Sequence, residues 1–156
     1  MEKTLTAILL FTFCFLLFCR CCAQPLYRKI KIKDNIFTVE IPLSVSGKAK
    51  GLGYRSEIAQ DCGMLFTFAT RQKHAFWMKG MQFPLDLLWI DGSTIVEIIP
   101  DVPIPDSGAL KIYKPSVPVN KVLELSAGLT EELGILAGDT ITFIEGIKDE
   151  PPRKSD

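Results

Sequence analysis

Residues 84–99 read PLDLLWIDGSTIVEII, and this stretch decides the fold. Leu85 to Ile90 and Thr94 to Ile99 are rich in branched and aromatic side chains, which suit the pleated surface of a strand. Asp91-Gly92-Ser93 between them carries tight-turn chemistry, so the pair is predicted to be a β-hairpin. Both arms are nearly continuous in apolar residues where a half-exposed strand would alternate. Such runs imply burial on two faces. Asp86 interrupts the first arm, and a carboxylate among apolar neighbours needs either backbone N–H groups or a cation to satisfy it.

Working outward, Ile30 and Ile32 alternate with lysines and Phe37, Val39 and Ile41 alternate again, with Asp34-Asn35 where a two-residue turn belongs. Ser44 is placed to cap a short helix toward Leu52, although Gly47, Gly51 and Gly53 weaken it intrinsically. Met64 to Phe68 reads as a buried strand. Five of the ten prolines fall between Pro100 and Pro118, which predicts a long ordered loop or meander. Lys121 to Leu125 is a further strand, after which Ser126 should cap a helix carrying Leu129 and Leu133 and stopped by Gly134. Thr140 to Ile144 is the last strand. Many short strands and two brief helices predict an α+β fold, mostly antiparallel β, with the sheet curling toward a small barrel.

The N-terminus carries an address. Thr4 to Phe18, TLTAILLFTFCFLLF, is an apolar run of 15 residues, shorter than the roughly 20 that span a bilayer. Cys21-Cys22-Ala23 puts small residues three and one before Gln24, so residues 1–23 read as a signal peptide cleaved after Ala23. The expected location is periplasmic or extracellular. Arg20, Arg28, Lys29, Lys31 and Lys33 follow the run and resist export, which keeps a retained anchor through residues 4–18 as the alternative, with a lipidated leader cysteine as a third. Contact with a membrane is expected only through this leader. Residues 24–148 form a single domain, and 149–156, with Pro151-Pro152, a frayed tail.

Cleavage removes Cys14, Cys19, Cys21 and Cys22, four of the five cysteines, and leaves Cys62 alone. A lone thiol cannot form an internal disulfide; its simplest reading is a small buried hydrophobe. The full chain has 18 basic and 18 acidic residues; without Lys3, Arg20 and Glu2 the net charge is −1. That balance does not call for nucleic acid, whose binding usually needs a concentrated basic face, and the basic face of the first strand most simply meets solvent.

Catalytic signatures are sparse. His74 is the sole histidine, and with one cysteine it falls short of the three or four ligands of a zinc site, so no metal and no cofactor are expected. Neither a nucleophile elbow nor a phosphate or dinucleotide loop occurs. Asp86 is the carboxylate of interest, and Lys79, across the Phe83-Pro84 turn, is its natural cationic partner. With Trp77, Met78 and Trp89 concentrated around them, Lys79 and Asp86 define a candidate ligand site or a structural polar site. Asp86 as a turn-capping acid is the simpler alternative. Glu124 stands open, buried like Asp86 or facing water.

Several pieces together carry a resemblance: Val39-Glu40-Ile41, Lys50-Gly51-Leu52, Gly63-Met64-Leu65-Phe66, Phe76-Trp77-Met78-Lys79, Pro84-Leu85-Asp86, Leu123-Glu124-Leu125, Leu133-Gly134-Ile135 and Gly138-Asp139. The combination, over roughly Ile36 to Ile144, resembles domain-of-unknown-function family 192, also known as uncharacterised protein family 0127. The resemblance implies a small, often exported protein and assigns no activity. The family's first helix commonly opens with a Thr-Pro-Glu-like segment where Ser44-Val45-Ser46-Gly47 stands here. A glycine stands for an acid usual in that helix, Gly53 for a methionine and Gly80 for an asparagine. The expected function is a non-enzymatic exported accessory protein binding a small molecule or an envelope protein. The rivals are an enzyme using Asp86 and Lys79 as an acid–base pair and a purely structural or interaction domain.

Overall fold

The computed structural model describes residues 25–106 and 110–145, so the expected signal peptide at 1–23 and the expected tail at 149–156 lie outside the described residues. In chain order the elements are β1 (Leu26–Ile32), β2 (Asn35–Ile41), α1 (Val45–Lys50), β3 (Cys62–Gln72), β4 (Phe76–Trp77), β5 (Leu85–Asp91), β6 (Thr94–Val102), β7 (Ile112–Tyr113), β8 (Val119–Ser126), α2 (Leu129–Glu132) and β9 (Ile141–Phe143). Seven strands form one sheet in the order β6-β5-β8-β3-β2-β1-β9, and β4 pairs with β7 beside it. This is the expected α+β architecture with a mostly antiparallel sheet.

The sheet curls into a half-barrel. At one end the first residues of β6 meet the segment leading into β9, the opposite edge: Ile95 N–H donates to Asp139 O at 2.9 Å and Ile141 N–H to Ser93 O at 2.8 Å. Thr94 and Thr140 form an isolated bridge there. Inside the curl lies one apolar cluster, with Ile30, Ile32, Phe37, Val39, Leu65, Leu88, Leu123 and Ile141 among its members. On the other face a second cluster gathers Met64, Phe66, Leu87, Trp89 and Val122. Successive residues of β3, β5 and β8 thus go alternately to two different cores, as the period of a strand requires. That is why β5 lacks polar alternation: six of its seven residues are buried. The matching expectation for β6 holds more shallowly: Ile95 and Ile98 go to the first cluster and Val96 and Ile99 to the second, but only Ile95 and Val102 are fully buried. As an edge strand it has a neighbour on one side only over most of its length.

The sequence missed one parallel pairing. β2 and β3 run parallel, with Val39 opposite Gly63 and Glu40 opposite Met64. A parallel neighbour needs a crossover, and α1 lies in it. Ser44 caps α1 as expected, its Oγ accepting from Gly47 N at 2.9 Å. Gly63 is required for close approach: a Cβ there would sit 2.6 Å from the Glu124 carbonyl oxygen.

Two local assignments shift. The first hairpin turns at Lys33-Asp34, since Ile32 pairs with Asn35. The alternation allows either register, because each pairs inward residues with inward residues. Tertiary contacts favour the observed one: Lys33, at φ 53°, places its ammonium 3.2 Å from Asp139 and against the Gly134 carbonyl. The second shift concerns α2, whose N-cap is Gly128 with no cap from its own side chain, so Ser126 does not cap it.

Candidate functional site

Asp86 supplies the missing cap. It is fully buried on β5. Its Oδ1 accepts from Gly128 N at 3.1 Å and Asp101 N at 3.0 Å, and its Oδ2 from Thr130 N at 2.9 Å and Thr130 Oγ1 at 2.7 Å. Helix N-termini leave their first amides without intrahelical partners, and a carboxylate is the strongest acceptor for them. Asp101, at φ 49°, turns its own N–H inward to the same carboxylate, beside an irregularity in the β5–β6 register. With four donors, Asp86 needs no cation, and Lys79 is not among its partners. The expected Lys79–Asp86 pair is replaced by a structural cap.

The other expected residues separate as well. Met78 and Trp89 are buried in the second core. Trp77 is 42% exposed, and it and Lys79 line a cavity of about 260 Å³ on the face opposite the half-barrel's interior. Asp86 does not line that cavity. Its walls are Phe66, Phe68, Phe76, Leu52 and Met81, with Lys48, Lys50 and Lys79 the cationic residues among them. Phe76 organises the wall, meeting Phe66 edge-on at 4.9 Å and Trp89 edge-on at 5.5 Å. Phe68 stacks on His74 at 3.6 Å and lies under the Lys48 ammonium at 4.9 Å.

Glu124 completes the lining. Strand register explains why it is there. Glu40 on β2, Met64 on β3, Glu124 on β8 and Leu87 on β5 lie in one lateral row. Side chains in such a row share a face, so Glu124 stands between buried Met64 and Leu87. It is 6% exposed. The Leu52 N–H donates to the carboxyl, while Oε2 is buried with no hydrogen-bond partner. Burial pushes the carboxyl up to about 8, against the opposing pulls of the Arg55 charge and the Leu52 N–H. Arg55 itself is engaged 2.8 Å from Glu40. The acid is thus held largely protonated at neutral pH, as burial disfavours the charged form.

The loop beyond α1 closes over this acid. A Cβ on Gly51 would lie 3.5 Å from Phe66 and 3.7 Å from Glu124 Oε2. Gly53 comes so close to the Lys50 and Lys79 carbonyls that a Cβ would sit 2.9 and 3.0 Å from them. Tyr54 N–H donates to Gly80 O at 2.8 Å. Gly53 and Gly80, two departures from the resembled family, therefore meet at one junction that holds Lys79 beside α1. Sequence reading left Glu124 open because Leu123-Glu124-Leu125 has the same pattern whether its polar face meets water or a second core. The signal that could have found it is Val122, an apolar residue two positions away on the same face.

Among the described residues, no group of three or more His, Cys, Asp or Glu side chains is placed to hold a metal ion. No described helix is long and apolar enough to cross a membrane.

Comparison with known proteins agrees with the architecture. A crystal structure of a proposed transcription regulator from Sinorhizobium meliloti 1021 superposes with a TM-score of 0.69 at 32% identity, covering 75% of this chain and 93% of that one. A protein of unknown function from Novosphingobium aromaticivorans DSM 12444 superposes with a TM-score of 0.68 at 24% identity, covering 78% and 94% respectively, and shows the same fold. Among curated proteins none matches the chain. The sequence profile of DUF192, described as "Uncharacterized ACR", matches residues 28–143. With that span and the fold in agreement, the chain belongs to the DUF192 family.

Proposed function

We propose that this protein is an exported, non-enzymatic binding protein that holds a small molecule in the cavity lined by Glu124, Trp77 and the phenylalanines. One observation carries the reading: a buried carboxyl oxygen without a partner belongs to a residue lining a mostly apolar recess. Leaving such a group unmade costs about 1–3 kcal/mol, a cost that a bound partner removes. Apolar walls with a few polar groups are the usual make-up of small-ligand sites. At about 260 Å³ the cavity suits a one-ring molecule and not a nucleotide. Export is supported by the short apolar run at Thr4–Phe18 and the small residues before Gln24. The Sinorhizobium neighbour carries a regulator's name, but the balanced charge of this chain supports a small ligand over nucleic acid.

The test is methyl-detected NMR with the neutral probe 3-phenylpropan-1-ol. Shifts at Met81 and Leu52 that are abolished by Ala75→Trp are the expected result, because Ala75 is an exposed residue on the cavity wall. Unmoved signals, or shifts that survive Ala75→Trp, would overturn the proposal.

A further inference from the structure

The geometry points to a ligand class: we infer that the cavity takes a small apolar monocarboxylate, its body against the aromatic wall and its carboxylate accepting a hydrogen bond from the Glu124 carboxyl. The inference rests on the reading of the cavity as a binding site and adds the chemistry of the occupant.

Three observations choose an anion over a cation. First, the lining residues include Lys48, Lys50 and Lys79 but no carboxyl group other than Glu124, so the surround is positive. Second, the unpartnered Oε2 belongs to an acid kept protonated by burial; a protonated carboxyl has one O–H to give and seeks an acceptor. An O–H donated to a carboxylate is among the short, charge-assisted hydrogen bonds, about twice as strong as a neutral one. Third, the aromatic cluster of Phe66, Phe68 and Phe76 could serve as a cage for an ammonium group, but Lys48 already places its own ammonium over Phe68. The Lys48 ammonium also donates to Thr67 O at 2.6 Å, which fixes a positive charge at that wall. A second cation would be repelled there.

The same arrangement makes binding depend on pH. Around Glu124 stand Lys48 and Lys50 on α1, Arg55 beyond it in its pair with Glu40 of β2, and Lys79 after β4. His74, stacked on Phe68, stands behind the aromatic wall, and Tyr27 bonds Glu40 at the far end of the row. When Glu124 loses its proton near pH 8, its new charge confronts the ligand's carboxylate and the donor is gone.

The experiment titrates the full chain with three probes of one skeleton, 3-phenylpropionate, 3-phenylpropan-1-ol and 3-phenylpropan-1-amine, at pH 6.5 and pH 9. Wild type is expected to bind the carboxylate most tightly and the amine least. Carboxylate affinity should fall about tenfold between the two pH values, the loss of the protonated fraction. In Glu124→Gln, which cannot ionise, that ratio should shrink below about twofold. A tighter amine, or a carboxylate affinity equal at both pH values in wild type, would overturn the ligand class and leave the cavity a binding site. If no probe binds, or all bind Ala75→Trp equally, the site itself is lost and the inference with it. The wild-type pH comparison stands even if Glu124→Gln fails to fold.

Discussion

Asp86 and Thr130 are 44 residues apart in sequence, yet the Thr130 hydroxyl and amide both donate to one Asp86 oxygen, at 2.7 and 2.9 Å. This contact ties the start of α2 to the most buried strand of the sheet. It makes Asp86, the polar residue that stands out most in the sequence, a structural part of the fold.

Asp86→Ala should therefore destabilise the protein by more than about 3 kcal/mol, because it strands several buried donors at once. Lys79→Met should fall within about 0.5 kcal/mol of wild type, as expected of an exposed residue. Urea unfolding of the two single variants and the double variant measures this. Effects that add to within about 0.5 kcal/mol are expected; a coupling well above that would show that Lys79 reaches Asp86 after all.

The Glu124 carboxyl should make stability depend on pH. Its folded value, about 8, lies above the ordinary 4.5. Below the ordinary value both states hold the proton and the group is without effect. As pH rises between the two values the unfolded chain ionises first, so stability falls, and the loss is complete above the folded value. Wild type measured against Glu124→Gln should lose up to about 5 kcal/mol between pH 4 and pH 9. A difference between the two proteins that is flat across this range would show that Glu124 ionises freely in the folded state.

Cys62 is buried, and burial followed by the neighbouring Asp61 charge pushes its thiol up to about 11. The thiolate is the reactive form. At pH 8 native protein should react with a maleimide at Cys62 more slowly than urea-unfolded protein by at least about 100-fold. Peptide mass spectrometry assigns the label to Cys62 and separates it from the leader cysteines. Native labelling at the unfolded rate would mark Cys62 as accessible and reactive.

Expression in a secreting host followed by N-terminal sequencing tests the leader. Gln24 is the expected first residue of the exported protein. A start at Met1 would indicate a retained anchor, and a lipidated cysteine a tethered form.

The sequence by itself determined what local chemistry and periodicity control. The turn at Gly92-Ser93, the alternating inward positions of β1 and β2, the Ser44 cap and the two-faced burial of β5 were all legible, because each depends on residues within a few positions of one another. The motifs from Gly63 to Asp86 also marked the family. Tertiary structure alone decided the rest. Whether Asp86 met Lys79 or the amides of Gly128 and Thr130 depended on where a segment more than 40 residues away was packed. The parallel pairing of β2 with β3 depended on the crossover through α1, since β2 alone could have paired either way. Glu124 showed the limit most clearly. Strand alternation fixes which side of β8 it faces, but only the second core, laid over that side by Met64, Leu87 and the loop at Leu52, turned a face that could have met water into a site that holds a proton.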